Sequence, residues 1–221
     1  ANEFKIPCIG GKVSLYNETP SGPIKPTPLI GVLGLIDKKP LVSQKILSGD
    51  NLVIIGDTKD ELGGSEYFEY IHKFIGGNCP TVNFKESKKN MSSVLDSIKQ
   101  QIPKSVHDCS KGGLAVAVAE LCMTNQIGCK VSLNKVPGEK LTDDRILFSE
   151  SHSRYLLTIN EKNIKKLENI LKKNKVTFQI IGKFGSKKIQ FVHGTKSIID
   201  LDVDKAQKTW FNSLKNMVLH G

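Results

Sequence analysis

The sequence predicts a mixed fold, α+β or α/β, in which a strand-rich opening segment precedes a larger domain. From residue 41 onward, short apolar runs typical of strands alternate with longer runs that have helical spacing. Before residue 41, glycine and proline interrupt the apolar runs, and the two or three strands they could form cannot close a core. We therefore expect residues 1–40 to be the incomplete end of one domain and residues 41–221 to be a second, whole domain.

The opening segment contains three expected strands. A glycine pair separates the apolar runs 4–9 and 13–16. The run 29–36 is apolar throughout, which predicts a strand covered on both faces. The polar stretch Asp37-Lys38-Lys39-Pro40 then marks the expected domain boundary.

The second domain shows alternating helical and strand patterns. The run 114–122 is apolar on nearly all sides, so it must form a buried helix. Thr142, followed by two aspartates, is an N-cap signal for a short helix that ends near Phe148. The expected helices are 66–75, 87–101, 114–122, 143–148, 161–173 and 203–219. The expected strands are 52–56, 105–108, 128–133, 154–159, 176–181, 189–192 and 197–201.

Composition excludes several classes of protein. Hydrophobic residues make up 38% of the chain and charged residues 24%, which is not the composition of a disordered protein. No apolar run reaches the roughly 18 residues that a membrane span needs, so we expect no membrane contact. The chain opens with neither a secretion signal nor an initiator Met, so we expect a processed chain or a fragment.

The cysteines favour a reducing, cytoplasmic setting. There are five, an odd number, and no two form a C-x-x-C pair, which argues against a disulfide framework or a zinc ribbon. We expect all five to be small structural residues. The alternative for Cys109, which lies near Lys111 at a predicted helix start, is a thiol of lowered pKa.

The net charge of +10 raises the possibility of a nucleic-acid partner. The lysines within residues 161–175 alternate with leucine and isoleucine, as on the solvent face of an amphipathic helix. No aromatic residues interleave with them to stack bases, so we expect no nucleic-acid binding. A weaker use of the charge is attraction of anionic substrates such as nucleotides.

Three glycine motifs could meet phosphate through backbone N–H groups, each at a predicted strand end or helix start where glycine allows close approach. They are Gly10-Gly11-Lys12-Val13-Ser14, Leu62-Gly63-Gly64-Ser65-Glu66-Tyr67 and His107-Asp108-Cys109-Ser110-Lys111-Gly112-Gly113. In the first, Lys12 could add a point charge and Ser14 a hydroxyl. The structural alternatives are a β-bulge for the first motif and helix capping for the second.

Polar residues cluster again at 148–154, between a predicted helix and a predicted strand. Glu150 and Arg154 there could pair with each other, and an exposed loop is the alternative. The adjacent His107 and Asp108 could hold a metal or move a proton. Their spacing fits neither a zinc site nor a nucleophile elbow, so no metal ligands are assigned.

Taken together, these residues resemble the formylglycinamide ribonucleotide (FGAR) amidotransferase family, also called phosphoribosylformylglycinamidine synthase. The similarity covers nearly the whole chain and points to the C-terminal part of the small-type synthetase subunit. It is carried by Ser14-Leu15-Tyr16-Asn17-Glu18, by Leu62-Gly63-Gly64-Ser65-Glu66-Tyr67, by Asp108-Cys109-Ser110-Lys111-Gly112-Gly113-Leu114 and by Leu147-Phe148-Ser149-Glu150-Ser151. The third motif occurs across the wider aminoimidazole ribonucleotide synthetase superfamily, whereas the first two narrow the match to this enzyme.

The resemblance implies an α+β fold. Residues 41–221 would be the C-terminal B-type domain of the aminoimidazole ribonucleotide synthetase-like fold, and residues 1–40 the last strands of an A-type, nucleotide-binding domain. The enzyme would be an ATP-dependent carbon–nitrogen ligase of purine biosynthesis. It would convert FGAR and ammonia to formylglycinamidine ribonucleotide through an iminophosphate intermediate.

The resemblance also implies cofactors and partners. ATP and Mg²⁺ are expected, with most metal ligands and catalytic residues outside this chain, so the isolated fragment would be inactive. The expected partners are the missing N-terminal region of the synthetase, a glutaminase subunit that releases ammonia from glutamine, and a small bridging subunit. The complex would be cytoplasmic.

Few family roles transfer residue by residue. Gly11 corresponds to a glycine that contacts ATP, and Ser14 to a serine that contacts the ribonucleotide. Lys12 replaces an asparagine that helps to hold Mg²⁺; an ammonium group cannot ligate a metal, so we expect Lys12 to contact phosphate instead. His107, Asp108 and Glu150 are expected to shape the site rather than to catalyse.

Two other hypotheses are open. One is a different ATP-using member of the superfamily, such as a hydrogenase-maturation, selenophosphate or thiamine-phosphate enzyme, against which the motif Ser14-Leu15-Tyr16-Asn17-Glu18 argues. The other is a non-catalytic basic module whose lysine face contacts nucleic acid or a partner subunit.

Overall fold

The computed structural model describes residues 1–25, 27–36 and 42–220, except for the side chains of residues 216, 219 and 220. The chain divides into two units, Ala1–Lys39 and Pro40–Gly221. The boundary expected at Asp37-Lys38-Lys39-Pro40 lies outside the described residues. In the first unit, the described residues form a short 3-10 helix, Asn2–Phe4, and an antiparallel hairpin of β1 (Glu18–Thr19) and β2 (Gly22–Pro23).

The three strands expected in the first unit do not form. Residues 4–9, 13–16 and 29–36 carry no strand, and their apolar side chains other than Phe4 are exposed, as at Leu29, which is 96% exposed. A strand needs a neighbour for its backbone N–H and C=O groups. Among the described residues of this unit, only β1 and β2 pair with each other. The expectation was wrong because apolarity marks a segment for burial but supplies no pairing partner.

The second unit is built on one seven-stranded sheet. Its strands are β3 (Asn51–Ile55), β4 (Ser105–Asp108), β5 (Cys129–Ser132), β6 (Tyr155–Ile159), β7 (Phe178–Phe184), β8 (Lys188–His193) and β9 (Lys196–Asp202). They lie in the order β4-β6-β3-β7-β5-β8-β9. Neighbouring strands are antiparallel, except that β5 and β8 are parallel.

Six α-helices accompany the sheet in the described part of the second unit. They are α1 (Glu66–His72), α2 (Phe84–Lys99), α3 (Gly113–Asn125), α4 (Asp143–Phe148), α5 (Ile164–Lys173) and α6 (Val203–His220). Each helix and strand expected in residues 41–221 is present, with bounds that shift by a few residues. The largest shift at any end is three residues, as at β7, which was expected at 176–181. The α+β class is confirmed.

Helices cover both faces of the sheet, as the central strand β3 shows. Leu52 and Ile54 belong to one core cluster, Val53 and Ile55 belong to the other, and all four are at most 1% exposed. The helices contribute Leu114 and Val118 of α3 to the first cluster, and Val94 of α2 and Leu167 of α5 to the second. The sheet therefore lies between two helical layers.

Two sequence-based predictions about individual helices are confirmed. The apolar helix α3 is buried along most of its length. In α5, Leu167 and Leu171 are buried while Lys165 and Lys166 are exposed. The lysines of α5 are therefore the solvent face of an amphipathic helix.

Leu156→Ala tests this packing. Leu156 on β6 is fully buried in the first cluster. The substitution is expected to lower the free energy of unfolding by about 2–5 kcal/mol, because it removes buried methyl groups and leaves a cavity. Urea unfolding followed by circular dichroism measures the loss. The matched control is Leu95→Ala on α2, where the side chain is 49% exposed, and a loss below about 1 kcal/mol is expected there. Equal losses would contradict the packing.

Candidate functional site

Two of the glycine motifs and the polar loop at 148–154 meet at one edge of the second unit. The turn that joins β4 to α3 lies against the loop between α4 and β6, and the Cys109 N–H donates to the Arg154 carbonyl at 3.0 Å. Gly113 has a φ of 64°, and a Cβ there would lie 2.5 Å from the Ser149 carbonyl oxygen. Glycine is therefore required at Gly113 for two separate reasons.

The carboxylate of Glu150 joins the two glycine motifs. Its Oε1 accepts the backbone N–H of Glu66 at 3.0 Å and the backbone N–H of Gly112 at 2.9 Å. These residues stand at the start of α1 and directly before α3. A carboxylate is stabilised there by two charge-assisted hydrogen bonds and by the partial positive charge of the helix starts.

The hypothesis that these turns offer free N–H groups to phosphate is therefore wrong for the groups nearest the helices. The Glu66 and Gly112 N–H groups bind Glu150, and the Gly113 N–H donates to the Ser110 carbonyl. The capping alternative is confirmed in the second motif, because the Ser65 hydroxyl accepts the Phe68 N–H at 3.2 Å. The Glu150 carboxylate accepts the N–H groups that had been expected to bind a phosphate.

Arg154 anchors the loop that carries Glu150. Its side chain is only 1% exposed, and its Nε donates to the Ser151 carbonyl at 3.1 Å. Its Nη1 donates to the Thr58 hydroxyl at 3.0 Å, and its Nη2 donates to the Ser149 carbonyl. Burial lowers the pKa of the guanidinium, while the nearby Cys109, Glu61 and Glu150 act in the opposite direction.

The expected ion pair between Glu150 and Arg154 does not form. Arg154 binds two backbone carbonyls and one hydroxyl, whereas Glu150 binds two backbone N–H groups. The two charges attract each other through space. The hydrogen bonds that Glu150 and Arg154 make, mostly to the backbone, therefore fix the positions of the two side chains.

A cavity of about 280 Å³ opens beside these groups. Its lining includes Asp108, Ser110, Lys111, Glu150, His152 and Arg154. Lys111 donates to Glu66 Oε1 at 2.9 Å, and this hydrogen bond raises the pKa of Lys111. The cavity offers one exposed ammonium, hydroxyl groups and carboxylates to a polar ligand. Among the described residues, no group of three or more His, Cys, Asp or Glu side chains is arranged to hold a metal ion.

His107 does not share this cavity with Asp108 and Glu150. Its Nδ1 lies 2.6 Å from the Asp108 carbonyl oxygen, and its Nε2 lies 3.3 Å from a carboxylate oxygen of Glu120. It lines a different cavity, together with residues of α3 and α6. Neighbouring residues of a strand point to opposite sides, which separates His107 from Asp108.

Cys109 is a structural residue. Burial raises the pKa of its thiol to about 11, so the thiol is neutral at physiological pH. Arg154 acts in the opposite direction, but burial is the larger effect. The alternative of a thiol with a lowered pKa is wrong.

The residues of the first glycine motif belong to the other unit. Gly11, Lys12 and Ser14 are all exposed. Neither Gly10 nor Gly11 has a positive φ, and a Cβ added at either would meet no atom within 4 Å. Within their own unit these glycines are therefore not required by backbone strain or close packing.

Sequence reasoning missed two polar residues of the site. The hydroxyl of Thr58, which is 2% exposed, accepts from Arg154. Glu61 accepts the Thr81 N–H at 3.1 Å through Oε1, while its Oε2 is buried with no hydrogen-bond partner among the described residues. The available signal was the polar run 57–61, which follows the buried strand β3 after one glycine, Gly56.

Residues 48–194 match the family model described as "AIR synthase related protein, C-terminal domain". The chain belongs to this family. It is 38% identical to the phosphoribosylformylglycinamidine synthase subunit PurL of Methanocaldococcus jannaschii over 99% of the chain and 30% of that protein. The chain thus spans about 30% of the length of the curated relatives it matches.

Several solved structures share the fold of this chain. Thermotoga maritima PurL complexed with FGAR matches with a TM-score of 0.68 and 17% identity, over 75% of this chain and 29% of that chain. Structures of that protein complexed with ATP and in PurLQS match with TM-scores of 0.62 and 0.59. The hydrogenase maturation protein HypE of Escherichia coli matches with a TM-score of 0.54 and 15% identity, over 73% of this chain and 52% of that chain.

The resemblance stated from the motifs is confirmed, and the fold is that of the C-terminal domain of this family. Among the described residues, no helix has both the length and the apolarity of a membrane span.

Glu150→Ala tests the central carboxylate. The loss of Glu150 leaves the Glu66 and Gly112 N–H groups without their acceptor, so we expect a loss of about 1–3 kcal/mol in the free energy of unfolding. Faster amide hydrogen exchange at Glu66 and Gly112 is expected as well. The matched control is Glu139→Ala, because the exposed Glu139 accepts one N–H, that of Asp60, at 3.2 Å. If both variants lose equal stability and Gly112 keeps its protection, Glu150 does not join the motifs.

Proposed function

We propose that this chain is the C-terminal part of the synthetase subunit of an FGAR amidotransferase. Residues 41–221 would form its second B-type domain. Residues 1–40 would belong to the end of an A-type, nucleotide-binding domain, where their strands would form only against the rest of that domain. The observation that carries the proposal is the 38% identity to a PurL over 99% of the chain. The exposed apolar side chains of residues 29–36 support the assignment of the first unit, because they suit a segment that pairs with strands of the same domain.

The proposed reaction joins ammonia to FGAR at the expense of ATP. The amide oxygen of FGAR attacks the γ-phosphorus of ATP, which releases ADP and forms an iminophosphate. Ammonia then adds to the activated carbon, and phosphate leaves with the former amide oxygen. The products are formylglycinamidine ribonucleotide, ADP and phosphate. The complexes of T. maritima PurL with FGAR and with ATP support this choice of substrates.

Three residues of the first unit would contact these substrates. Gly11 would contact ATP, Lys12 would contact a phosphate group, and Ser14 would contact FGAR. All three are exposed, and the backbone at Gly11 is open to a ligand because no atom occupies the space of a Cβ. Mg²⁺ would accompany ATP and would be held mostly by residues outside this chain, because Lys12 carries no lone pair for a metal.

Residues of the second unit would shape the turns and the cavity of that unit. Glu150 would hold the two glycine turns together through its two hydrogen bonds. Asp108 would line the cavity beside Glu150. His107 would act from the other side of the turn, where it lies near Glu120. None of the three would take part in bond making.

The proposed enzyme works in a cytoplasmic assembly. A glutaminase subunit would release ammonia from glutamine, and a small bridging subunit would join it to the synthetase. The match to the structure of PurLQS from T. maritima supports a complex of several subunits. The weaker match to HypE keeps a hydrogenase-maturation type of reaction as the second candidate.

The first experiment is an FGAR assay with ammonium as the nitrogen donor. The chain is tested alone and after fusion to the N-terminal two thirds of M. jannaschii PurL. We expect formylglycinamidine ribonucleotide and one ADP per product from the fusion, and no product from the chain alone. A folded fusion that hydrolyses ATP without consuming FGAR would contradict the proposal and favour a different reaction of the superfamily.

Variants of the first motif separate the ATP and FGAR roles. In the active fusion, Gly11→Asp is expected to abolish ATP turnover, because it sets a carboxylate against phosphate. Ser14→Ala is expected to raise KM for FGAR several-fold more than KM for ATP, as loss of a substrate-specific contact would. The matched control is Ser21→Ala in the β1–β2 turn, which should leave both KM values unchanged. Equal changes in both KM values for Ser14→Ala would contradict its role.

A further inference from the structure

Helix α6 packs on the body of the second unit along only part of its length. Val203 at its start is fully buried, and Ala206 and Gln207 are partly buried. From Lys208 onward, every described side chain of the helix is exposed. Five of these side chains are large and apolar, with exposures between 55% and 71%: Trp210, Phe211, Leu214, Met217 and Val218. We call these five residues the α6 stripe.

The α6 stripe continues the packed face of the helix. Trp210, Leu214, Met217 and Val218 follow the spacing i, i+4, i+7 and i+8, which places them on one side of a helix. Val203 lies seven residues before Trp210, about two turns away on that same side. The side that contacts the body in the first turns thus faces solvent in the later turns. A helical extension of this kind is marginal in water unless another element covers it.

A groove at the base of the stripe could receive a bulky side chain. It encloses about 460 Å³ and is lined mainly by apolar residues of α3, β8, β9 and α6, among them Ala119, Phe191, Leu201 and Trp210. Trp210 also lines the cavity that contains His107 and Glu120. Protein interfaces commonly centre on an aromatic residue beside such an apolar pocket.

Charges around the stripe indicate the chemistry of its partner. After Asp204, the helix contains three lysines, Lys205, Lys208 and Lys215, and no acidic residue. Lys208 and Lys215 lie three residues before and four residues after Phe211, so both border the same edge of the stripe. Ser213, which borders the Met217 edge, is uncharged.

We propose that the α6 stripe binds an amphipathic helix of another polypeptide, with aliphatic residues on its apolar face and glutamate or aspartate along one edge. The lysines of α6 would pair with those acids, and a large side chain of the partner would enter the groove. If a second copy of this chain bound the stripe, the lysine edges of the two α6 helices would meet and repel each other. The net charge of +10 also opposes such self-association. A lipid surface is less favoured, because cations border only one edge of the stripe. The proposal goes beyond the reaction above and involves neither FGAR nor ATP.

Trp210 is the only tryptophan of the chain, so its fluorescence reports directly on the stripe. The probe is a synthetic helical peptide of about 18 residues, with leucine at i, i+3, i+4 and i+7 and glutamate beside them. A second peptide carries lysine in place of glutamate. The acidic peptide is expected to shift the Trp210 emission to shorter wavelength and to bind about tenfold more tightly than the basic one. Equal affinities, or no shift with the acidic peptide, would overturn the proposal.

Variants place the binding on α6. Lys208→Glu combined with Lys215→Glu is expected to reverse the preference between the two peptides. The matched control, Lys165→Glu combined with Lys166→Glu, makes the same charge change on α5 and should keep the preference. Leu214→Asp should weaken binding of the acidic peptide about tenfold, with folding unaffected because Leu214 is 69% exposed. An unchanged affinity for this variant would overturn the assignment to the stripe.

Two further measurements test whether a second copy of the chain or a lipid surface binds the stripe instead. Sedimentation velocity of the chain without peptide is expected to show a monomer, and a dimer that Leu214→Asp abolishes would replace the proposed partner with a second copy. Vesicles of phosphatidylcholine and phosphatidylserine are expected to leave the Trp210 emission unchanged. A shift with vesicles that equals or exceeds the shift with the acidic peptide would assign the stripe to a membrane surface.

Discussion

The candidate site depends on a guanidinium that is buried away from water. An unpaired buried charge is costly, so Arg154 must find acceptors inside the protein. It finds them in Thr58, Ser149 and Ser151, and these bonds tie the segment that follows β3 to the loop between α4 and β6. The anchored loop then directs Glu150 to the starts of α1 and α3. Two glycine turns that are distant in sequence are thus held together by hydrogen bonds that begin at one cation.

How much of this could be predicted differs between the two units. The helices and strands of the second unit follow from periodicity and capping signals, because each element buries its apolar face within the same unit. Leu52 and Ile54, for example, lie in one core cluster with residues of α3. In the first unit, the apolar segments do not bury their side chains against one another in this way. Residues 29–36 have the apolarity of a strand, but hydrogen bonding between strands is not a local property, and the pattern alone could not supply the neighbour.

The sequence pointed to several residues that lie near one another in the second unit, but not to the hydrogen bonds that they make. The motifs that carry His107, Asp108 and Glu150 do lie near one another, since helix starts and strand ends collect at the same edge of the sheet. Opposite charge suggested that Glu150 would bind Arg154, yet both groups bind the backbone. Which acceptor a buried side chain reaches depends on distances of a few tenths of an ångström, and these follow from loop geometry rather than from residue type. For the same reason, the part played by Thr58 could not be read from the sequence.

The distribution of thiols has a practical consequence. Cys8 in the first unit and Cys79 in the second are exposed, whereas Cys109, Cys122 and Cys129 are buried. Burial raises the pKa of Cys109 to about 11 and that of Cys122 to about 12, and it raises the pKa of Cys129 as well. A maleimide dye reacts with a thiolate that it can reach, so at neutral pH it would attach at one position in each unit. Energy transfer between a donor and an acceptor dye on the unaltered chain would then measure the distance between the two units and follow it as substrates or partners are added.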